Sequence, residues 1–250
     1  MKNIDPLKEN LLKLYQNDYE KTEECKSCYL HGTVDRNTHW NLGVSWTISN
    51  PKLAFIGKNT WGPTEDAGKL LELYKRINDY YDSETGDTTV NSRYWRAVKT
   101  ISEKVHQLQP SKEFLKYIFV SNLAKCGADS EHPNIVTSKK AFRSCKNIFQ
   151  KEIELVKPTH LIILTGTSYD DIIEGLNFTT SEPEDKTSQD DTFELHKSSG
   201  ETQRVPWWHR KYSTDGRIAM HLLRTRHPQG AFREFEQEIA LWVNRNKVVV

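Results

Sequence analysis

The sequence has no apolar run that approaches the roughly 18 residues needed to cross a membrane. Its first fifteen residues include acidic side chains and lack the apolar core of a signal peptide. There is no excess of charge of one sign, because 35 basic residues face 34 acidic ones and leave a net charge of +1. Any nucleic-acid surface would therefore be local. We expect a cytoplasmic monomer without membrane contact.

The chain is also poor in cysteine, with four in 250 residues, and it has no phosphate-binding glycine motif. In a cytoplasmic protein, the four cysteines argue against disulfides and favour a metal site or catalysis. The lack of a G-x-G-x-x-G or G-K-[ST] loop disfavours a small-molecule α/β enzyme. Aromatic residues are present at 10%, which argues against disorder in a chain long enough to bury a sizeable core.

The stretch that organises the sequence is residues 53–62, LAFIGKNTWG. Its apolar run stops at Gly57, and the polar loop that follows contains Lys58, Asn59 and Trp61. A buried strand that ends in a glycine-bracketed loop is typical of open α/β sheets, in which ligands bind at the carboxyl ends of the strands. We therefore predict a functional site at the end of this strand.

Three further apolar runs have the length of strands, and they alternate with segments of helical periodicity. The runs are residues 117–123, 160–164 and 218–223, and the predicted helices cover residues 7–20, 67–80, 93–107, 138–156, 168–175 and 231–245. This alternation predicts an α/β fold, here a three-layer α/β/α sandwich with a central four-stranded, mainly parallel sheet. The four strand ends would bring together Asn59, Asn122, Gly166 and His227.

We predict a single domain that spans residues 1–250. A helix and a Cys-x2-Cys segment occupy its first 30 residues. From about residue 178 to residue 217 the sequence has the character of a polar insertion, and residues 182–194 hold six acidic residues against one lysine. Such a composition is typical of a mobile surface segment.

Each predicted strand end carries or adjoins a short motif. The first is Gly57-Lys58-Asn59. The others are NSRYW at residues 91–95, FVSNLAKC at 119–126, LVKP at 155–158 with Gly166 after the next apolar run, and HP at 227–228. In this order the motifs resemble those of the uracil-DNA glycosylase superfamily, whose branches read G-x-N-P-G, N-R-F-W, T-N-x-V-K-C, L-V-x-P and H-P-S or H-P-A. The resemblance covers most of residues 25–243 and is closest to the iron–sulfur branches.

The resemblance implies a monofunctional DNA N-glycosylase, a hydrolase that flips a base out of DNA and cuts its glycosidic bond to leave an abasic site. It also implies three roles. Asn59 would position water, Asn122 would read the hydrogen-bonding edge of the base, and His227 would donate a hydrogen bond to the leaving base. Without a catalytic role these residues would be turn, loop-capping or surface residues. The default substrate is uracil.

The sequence departs from the family where a base would be fitted. Lys58 stands where the iron–sulfur branches usually carry Glu, and Thr60-Trp61 replaces Pro-Gly. Members of the superfamily that resemble this chain excise bulky glucosylated hydroxymethylcytosines from phage DNA, and a reshaped pocket fits this antiviral alternative. Lys58 could also contact phosphate or the base, or attack the sugar carbon. A further alternative is a DNA-binding module without catalysis.

Aromatic and basic residues supply candidate contacts to DNA. Trp61, Tyr94 and Trp95 are candidates to stack on the flipped base, while core packing is the structural alternative for each. Residues 202–233 carry seven basic residues against one acidic residue, with aromatic residues among them. This composition suits DNA backbone contacts, although an ordinary solvated face shares it. The predicted contacts are Arg204, Arg210, Lys211, Arg224, Arg226 and Arg233.

The four cysteines are Cys25, Cys28, Cys126 and Cys145. By resemblance to the iron–sulfur branches they would ligate a [4Fe–4S] cluster, and the same four thiolates could hold zinc. Buried free cysteines are the remaining alternative, which the C-x-x-C spacing weakens. A cluster would be structural, since it would tie the N-terminal segment to the loop after the second strand.

Overall fold

A computed structural model describes residues 5–15, 22–28, 41–58, 92–109, 112–125, 135–178, 182–183, 192–228 and 233–248. The strands in these ranges are β1 (Asn41–Leu42), β2 (Leu53–Gly57), β3 (Ile118–Asn122), β4 (His160–Leu164), β5 (Glu182–Pro183), β6 (Thr192–His196), β7 (Thr202–Thr214) and β8 (Arg217–Thr225). The helices are α1 (Asp5–Lys13), α2 (Glu23–Lys26), α3 (Ser92–His106), α4 (Ile135–Val156), α5 (Asp170–Ile173) and α6 (Arg233–Arg245).

The centre of the sheet is parallel. Strands β3, β2, β4 and β8 lie side by side in that order, and each neighbouring pair runs in the same direction. Strands β2 and β4 are buried along their whole length. Continuous burial is expected of parallel strands that are covered on both faces, which is why they read as unbroken apolar runs in the sequence. The four predicted strands are confirmed.

The sheet is nevertheless wider than predicted, and it is mixed. Strand β1 pairs antiparallel with β3 at one edge, and β7 pairs antiparallel with β8 on the other side and also with β5 and β6. The α/β class is therefore confirmed, but the prediction of a four-stranded, mainly parallel sheet is wrong. The additional strands β5, β6 and β7 come from residues 178–217, which the sequence analysis interpreted as a polar insertion.

The alternation of side chains along β7 explains why this segment joins the sheet. Trp208 and Tyr212 pack into one hydrophobic cluster, whereas Val205 and Trp207 pack into the other. Successive side chains of a strand point to opposite faces, so basic and aromatic residues can share one strand and still bury the aromatic rings. The polar composition of the segment concealed this pattern.

Helices cover both faces of the sheet. On one face, α1, α2, α4 and the α5 segment pack against side chains that include Ile56 and Ile163. On the other face, α3 and α6 pack against side chains that include Phe55 and Ile162. The carboxyl ends of the parallel strands lie at one end of this layered structure. Within the described helices, none combines the length and the apolar character needed to span a membrane.

The predicted helices agree with the structure wherever it describes them. Helix α3 buries Ala97, Val98, Ile101 and Val105, the spacing of one helical face. The predictions for residues 138–156 and 231–245 correspond to α4 and α6, and the prediction for residues 168–175 corresponds to a 3₁₀ turn followed by α5. The predicted helix at residues 67–80 lies outside the described residues.

Candidate active site

The candidate site begins where β2 and β3 end side by side. Gly57 is the last residue of β2 and pairs in register with Asn122, the last residue of β3. The pairing continues into the loops, because the N–H of Leu123 donates to the carbonyl of Gly57 at 2.9 Å and the N–H of Ala124 donates to that of Lys58 at 3.0 Å. The two chain segments are therefore held together as they leave the sheet.

Gly57 permits a close approach of the Asn122 side chain. A Cβ atom at residue 57 would lie 2.6 Å from Asn122 Oδ1, which is too close for a carbon and an oxygen that are not bonded. The same Cβ would lie 3.6 Å from Cε2 and Cζ of Tyr94. The Asn122 amide and the Tyr94 ring thus flank one point at the strand end. An amide that can donate and accept hydrogen bonds stands there beside an aromatic ring.

His227 follows β8 and lies beside Tyr94. The two ring centroids are 6.2 Å apart and the ring planes differ by 26°. Burial, together with smaller effects of the charges of Lys58 and Arg226, lowers the pKa of His227 to about 4. The imidazole is therefore neutral at neutral pH, with one ring nitrogen that donates a hydrogen bond and one that accepts.

Two cationic side chains act on this imidazole through their charges. Lys58 is partly buried at the end of β2, and burial lowers its pKa below the ordinary value. Arg226 precedes His227 in the chain and is also partly buried. Both charges act on the pKa of His227, so both lie near enough to act on a charge that forms beside it. The site is electrostatically suited to stabilise an anion.

Tyr94 brings a polar group that the sequence analysis did not consider. Its hydroxyl oxygen is buried and, among the described residues, has no hydrogen-bond partner. Burial holds the pKa of Tyr94 above its ordinary value, so the phenol stays neutral. The great majority of buried polar side-chain atoms have a partner, and an exception calls for an explanation. The tyrosine in the NSRYW motif signalled an aromatic ring but not the state of its hydroxyl.

A buried ion pair behind β3 holds the backbone of Asn122. Lys125 Nζ donates to Glu152 Oε2 at 2.5 Å, to the carbonyl oxygen of Asn122 at 2.7 Å and to Ser121 Oγ at 2.9 Å. The hydroxyl groups of Ser121 and Tyr15 donate to Glu152 Oε1. This network, which the sequence analysis missed, joins the α1 segment, β3 and α4. Its signals in the sequence were a charged residue, Glu152, at an otherwise apolar position of the α4 pattern and Lys125 within the FVSNLAKC motif.

Three of the four predicted metal ligands lie in the described part of the chain, and all three are buried. Cys25 lies in α2, and Cys28 lies two residues after the end of that helix. The N–H of Cys25 donates to Oγ1 of Thr22, which caps the start of α2. Helix α2 packs against α4, the helix that contains Cys145. The structure therefore brings the Cys-x2-Cys segment to the helix that carries a third cysteine.

The surroundings of these cysteines also reach the loop after β3. Cys28 packs with Ala124 and Ala141, and the backbone N–H of Lys125 donates to Cys145 Sγ at 3.5 Å. Cys126, the next residue, lies outside the described residues. Within the described ranges, no three His, Cys, Asp or Glu side chains form a group that could hold a metal ion.

Two of the predicted DNA contacts, Arg224 and Arg210, are buried or partly buried and interact with the α5 region. Arg224 is fully buried and forms a salt bridge with Asp170 Oδ2 at 2.8 Å. The prediction that Arg224 lies on a DNA-binding surface is therefore wrong. Strand β8 lies between β4 and β7 in the sheet and both of its faces are covered, so the Arg224 side chain is directed into the protein. Arg210 is partly buried and donates to the carbonyl oxygen of Glu174 at 2.9 Å.

The other predicted contacts are more accessible or lie nearer the site. Arg204 is exposed and pairs with Glu194 across β6 and β7 at 3.3 Å. Lys211 is partly buried on β7, and Arg226 borders His227. Arg233 is the first residue of α6, and its side chain lies outside the described part.

The structure thus gathers Asn122, Tyr94, Lys58 and His227 at the strand ends. The remaining predicted site residues, Asn59 and Trp61, lie outside the described residues. Neither a scan against models of known protein families nor a search of curated proteins finds a match to the chain. The chemistry of the gathered side chains is therefore the basis on which a function can be assigned.

Proposed function

We propose that the chain is a monofunctional DNA glycosylase that hydrolyses the bond between a flipped base and its deoxyribose. The observation that supports this most directly is the neutral, partly buried imidazole of His227 beside Tyr94, whose pKa is also lowered by the charges of Lys58 and Arg226. A leaving base takes the electron pair of the glycosidic bond, so negative charge develops on it. A neutral N–H donor and nearby positive charge stabilise that charge as it forms.

In this proposal Asn122 recognises the base. Its side-chain oxygen is fixed over Gly57, and its backbone carbonyl is held by the buried Lys125 ammonium. A side-chain amide can pair with an edge that presents both a donor and an acceptor, as pyrimidine edges do. In this proposal the glycosidic bond breaks with its electron pair on the base, water adds to the sugar carbon, the proton that the water loses goes to the departing base or to solvent, and an abasic site remains. Asn59 is the proposed residue that positions the water.

Uracil is the default substrate in this proposal, and a bulky glucosylated hydroxymethylcytosine of phage DNA is the alternative. Lys58 favours the alternative, because a partly buried ammonium beside His227 offers donors that a base rich in hydroxyl groups can use. A DNA-binding module without catalysis is the remaining alternative. It would require the accessible basic residues but would not depend on His227.

We also propose that Cys25, Cys28, Cys126 and Cys145 hold a [4Fe–4S] cluster, with zinc as the alternative. The residues fit such a group in their chemistry, since Cys25, Cys28 and Cys145 are buried thiols and one accepts a backbone N–H. The cluster would supply no step of the hydrolysis. It would connect α2, α4 and the loop after β3.

The test is abasic-site formation on single- and double-stranded DNA that contains normal bases, uracil, hydroxymethylcytosine or its glucosylated form. Wild type, His227→Ala and Asn122→Ala would be compared with His106→Ala. His106 is a control because it is also a partly buried histidine, but it lies about 18 Å from Tyr94 along α3. We expect His227→Ala to lower kcat roughly 10²- to 10³-fold, as loss of one such donor does elsewhere, with His106→Ala near wild type.

The kind of base at which abasic sites form distinguishes the uracil substrate from the glucosylated one. Abasic sites only at uracil would support repair, and abasic sites only at the glucosylated base would support phage defence. If no DNA acquires abasic sites while DNA binding is intact, the enzymatic proposal is overturned in favour of the binding module. If DNA is cleaved equally by wild type and His227→Ala, the assigned role of His227 is wrong.

A further inference from the structure

We propose that the Tyr94 hydroxyl is a specificity-determining group that forms a hydrogen bond with a polar atom of the flipped base. The inference rests on the proposed function and deepens it. The substrate would then be a base that has a hydrogen-bond donor or acceptor opposite the Tyr94 hydroxyl. The sequence pattern had suggested only that the aromatic ring of this residue stacks on the base.

The first observation is the state of the hydroxyl. It is buried and has no partner among the described residues. A buried hydroxyl that forms no hydrogen bond destabilises the free protein, because it has lost its bonds to water without replacement. Phenylalanine would fill the same space without this cost. A group that is unfavourable in the free protein and adjoins a candidate site is explained if a ligand satisfies it.

The second observation is the position of the hydroxyl. Tyr94 Cζ, the atom that bears it, and Asn122 Oδ1 lie within 3.6 Å and 2.6 Å, respectively, of the point where a Cβ of Gly57 would be. The two polar groups therefore flank the same strand end. A base whose edge is read by the Asn122 amide would lie within reach of the Tyr94 hydroxyl.

The third observation concerns the faces of the Tyr94 ring. The His227 ring lies over it at a centroid distance of 6.2 Å, and the Trp95 ring meets it at 87° with centroids 5.5 Å apart. A base stacked between two parallel rings needs roughly twice the van der Waals thickness of an aromatic ring, about 7 Å. The ring of His227 is too near for a base to enter between it and Tyr94. Tyr94 therefore cannot stack on a base at the face that His227 covers, whereas its hydroxyl projects from the edge of the ring.

The chemistry of a phenol allows both kinds of partner. A neutral phenol donates to a carbonyl oxygen of the base and accepts from an amino or hydroxyl group. A site built to form such a bond discriminates against a base that lacks the partner, because the buried hydroxyl is then left unpaired. A base with only a methyl group at this place would be disfavoured.

The test is Tyr94→Phe, which removes one oxygen atom and keeps the ring. The matched control is Tyr212→Phe, because the Tyr212 hydroxyl is also buried but donates to the carbonyl oxygen of Leu176 at 3.3 Å. Three quantities would be measured for each variant and wild type. These are the melting temperature without DNA, kcat/KM on each base of the panel, and affinity for the same DNA with a tetrahydrofuran abasic analogue.

We expect opposite effects on stability and on recognition. Tyr94→Phe should raise the melting temperature by roughly 2–4 °C, whereas Tyr212→Phe should lower it, because only the latter loses a hydrogen bond. Tyr94→Phe should lower kcat/KM on the preferred base about tenfold, which is typical of one hydrogen bond. Its affinity for the abasic DNA should equal that of wild type, since no base is present to contact the hydroxyl.

Two results would overturn the inference while the proposed function stands. One is a Tyr94→Phe protein that cleaves every base as wild type does, and the other is a Tyr94→Phe protein that melts lower, as expected for Tyr212→Phe. A different result would overturn the proposed function together with the inference. In that case wild type would form no abasic sites and would bind base-containing and abasic DNA with equal affinity.

Discussion

Gly57 has no Cβ atom, and this allows the amide of Asn122 to lie against the end of β2. The glycine is needed here for space and not for an unusual backbone angle, because Asn122 Oδ1 occupies the volume that a Cβ would need. The same point is bordered by the Tyr94 ring. The proposed recognition of the base by Asn122 therefore depends on the absence of a Cβ atom at residue 57.

Gly57→Ala should impair recognition of the base. The added Cβ forces the Asn122 amide to move, and misplacement of a positioning group by about 1 Å can lower activity roughly 10²-fold. The measurement is kcat/KM on the cleaved base. Gly175→Ala is the control, because its Cβ would meet only the flexible end of Lys146 at 3.4 Å and a carbonyl at 3.6 Å. Equal kcat/KM for Gly57→Ala and wild type would show that the amide does not contact the base.

Individual residues were predicted from the sequence to different degrees. Asn122 and His227 were identified because each lies at or shortly after the end of a predicted strand, within a motif that resembles the family, and the ends of parallel strands share one edge of the sheet. Arg224 was misplaced, since a basic residue near other basic residues reads as surface. Its salt bridge with Asp170 depends on a contact between segments more than fifty residues apart.

At the scale of elements, the buried Lys125–Glu152 pair fixes the end of β3 to α4. Both charged side chains are almost fully buried, and every described hydrogen bond of the pair is to another member of the network. Removal of one partner from a buried pair leaves an uncompensated charge, which typically costs about 3–5 kcal/mol. The pair therefore couples the position of Asn122 to the packing of α4.

Glu152→Leu alone and Lys125→Met alone should each lower the free energy of unfolding by about 3–5 kcal/mol. The double variant should lose much less than the sum, because no charge is then left buried without a partner. Urea denaturation of the four proteins would measure this coupling. Glu23→Gln is the control, since its salt bridge with Lys26 is exposed and its loss should leave stability unchanged. Additive losses in the double variant would contradict the coupling.

For the whole molecule, the region of the cysteines connects parts of the chain that are far apart in sequence. Cys25 and Cys145 belong to the same hydrophobic cluster, and Cys28 packs against Ala124 beside the loop after β3. Ligation by four thiolates would hold these segments together. The free energy of metal binding would then contribute to the stability of the folded protein.

Protein purified without oxygen should contain, per chain, the iron and acid-labile sulfide of one [4Fe–4S] cluster. Cys25→Ser and Cys145→Ser should lose both and melt at a lower temperature, because a ligated segment is released. Ser27→Ala, in the same turn, is the control and should keep its metal. Zinc without sulfide would identify the alternative ion, and wild type with no metal would leave the cysteines as buried free thiols.

The sequence by itself determined the parallel centre of the sheet and the residues at its carboxyl ends. Apolar runs of strand length, each closed by a polar or turn residue, specify buried strands through local pattern alone. Only the tertiary structure decided that β7 would join β8, that Arg224 would be buried and that the Tyr94 hydroxyl would lack a partner among the described residues. These features depend on contacts between distant segments, whose free energies a local pattern does not contain.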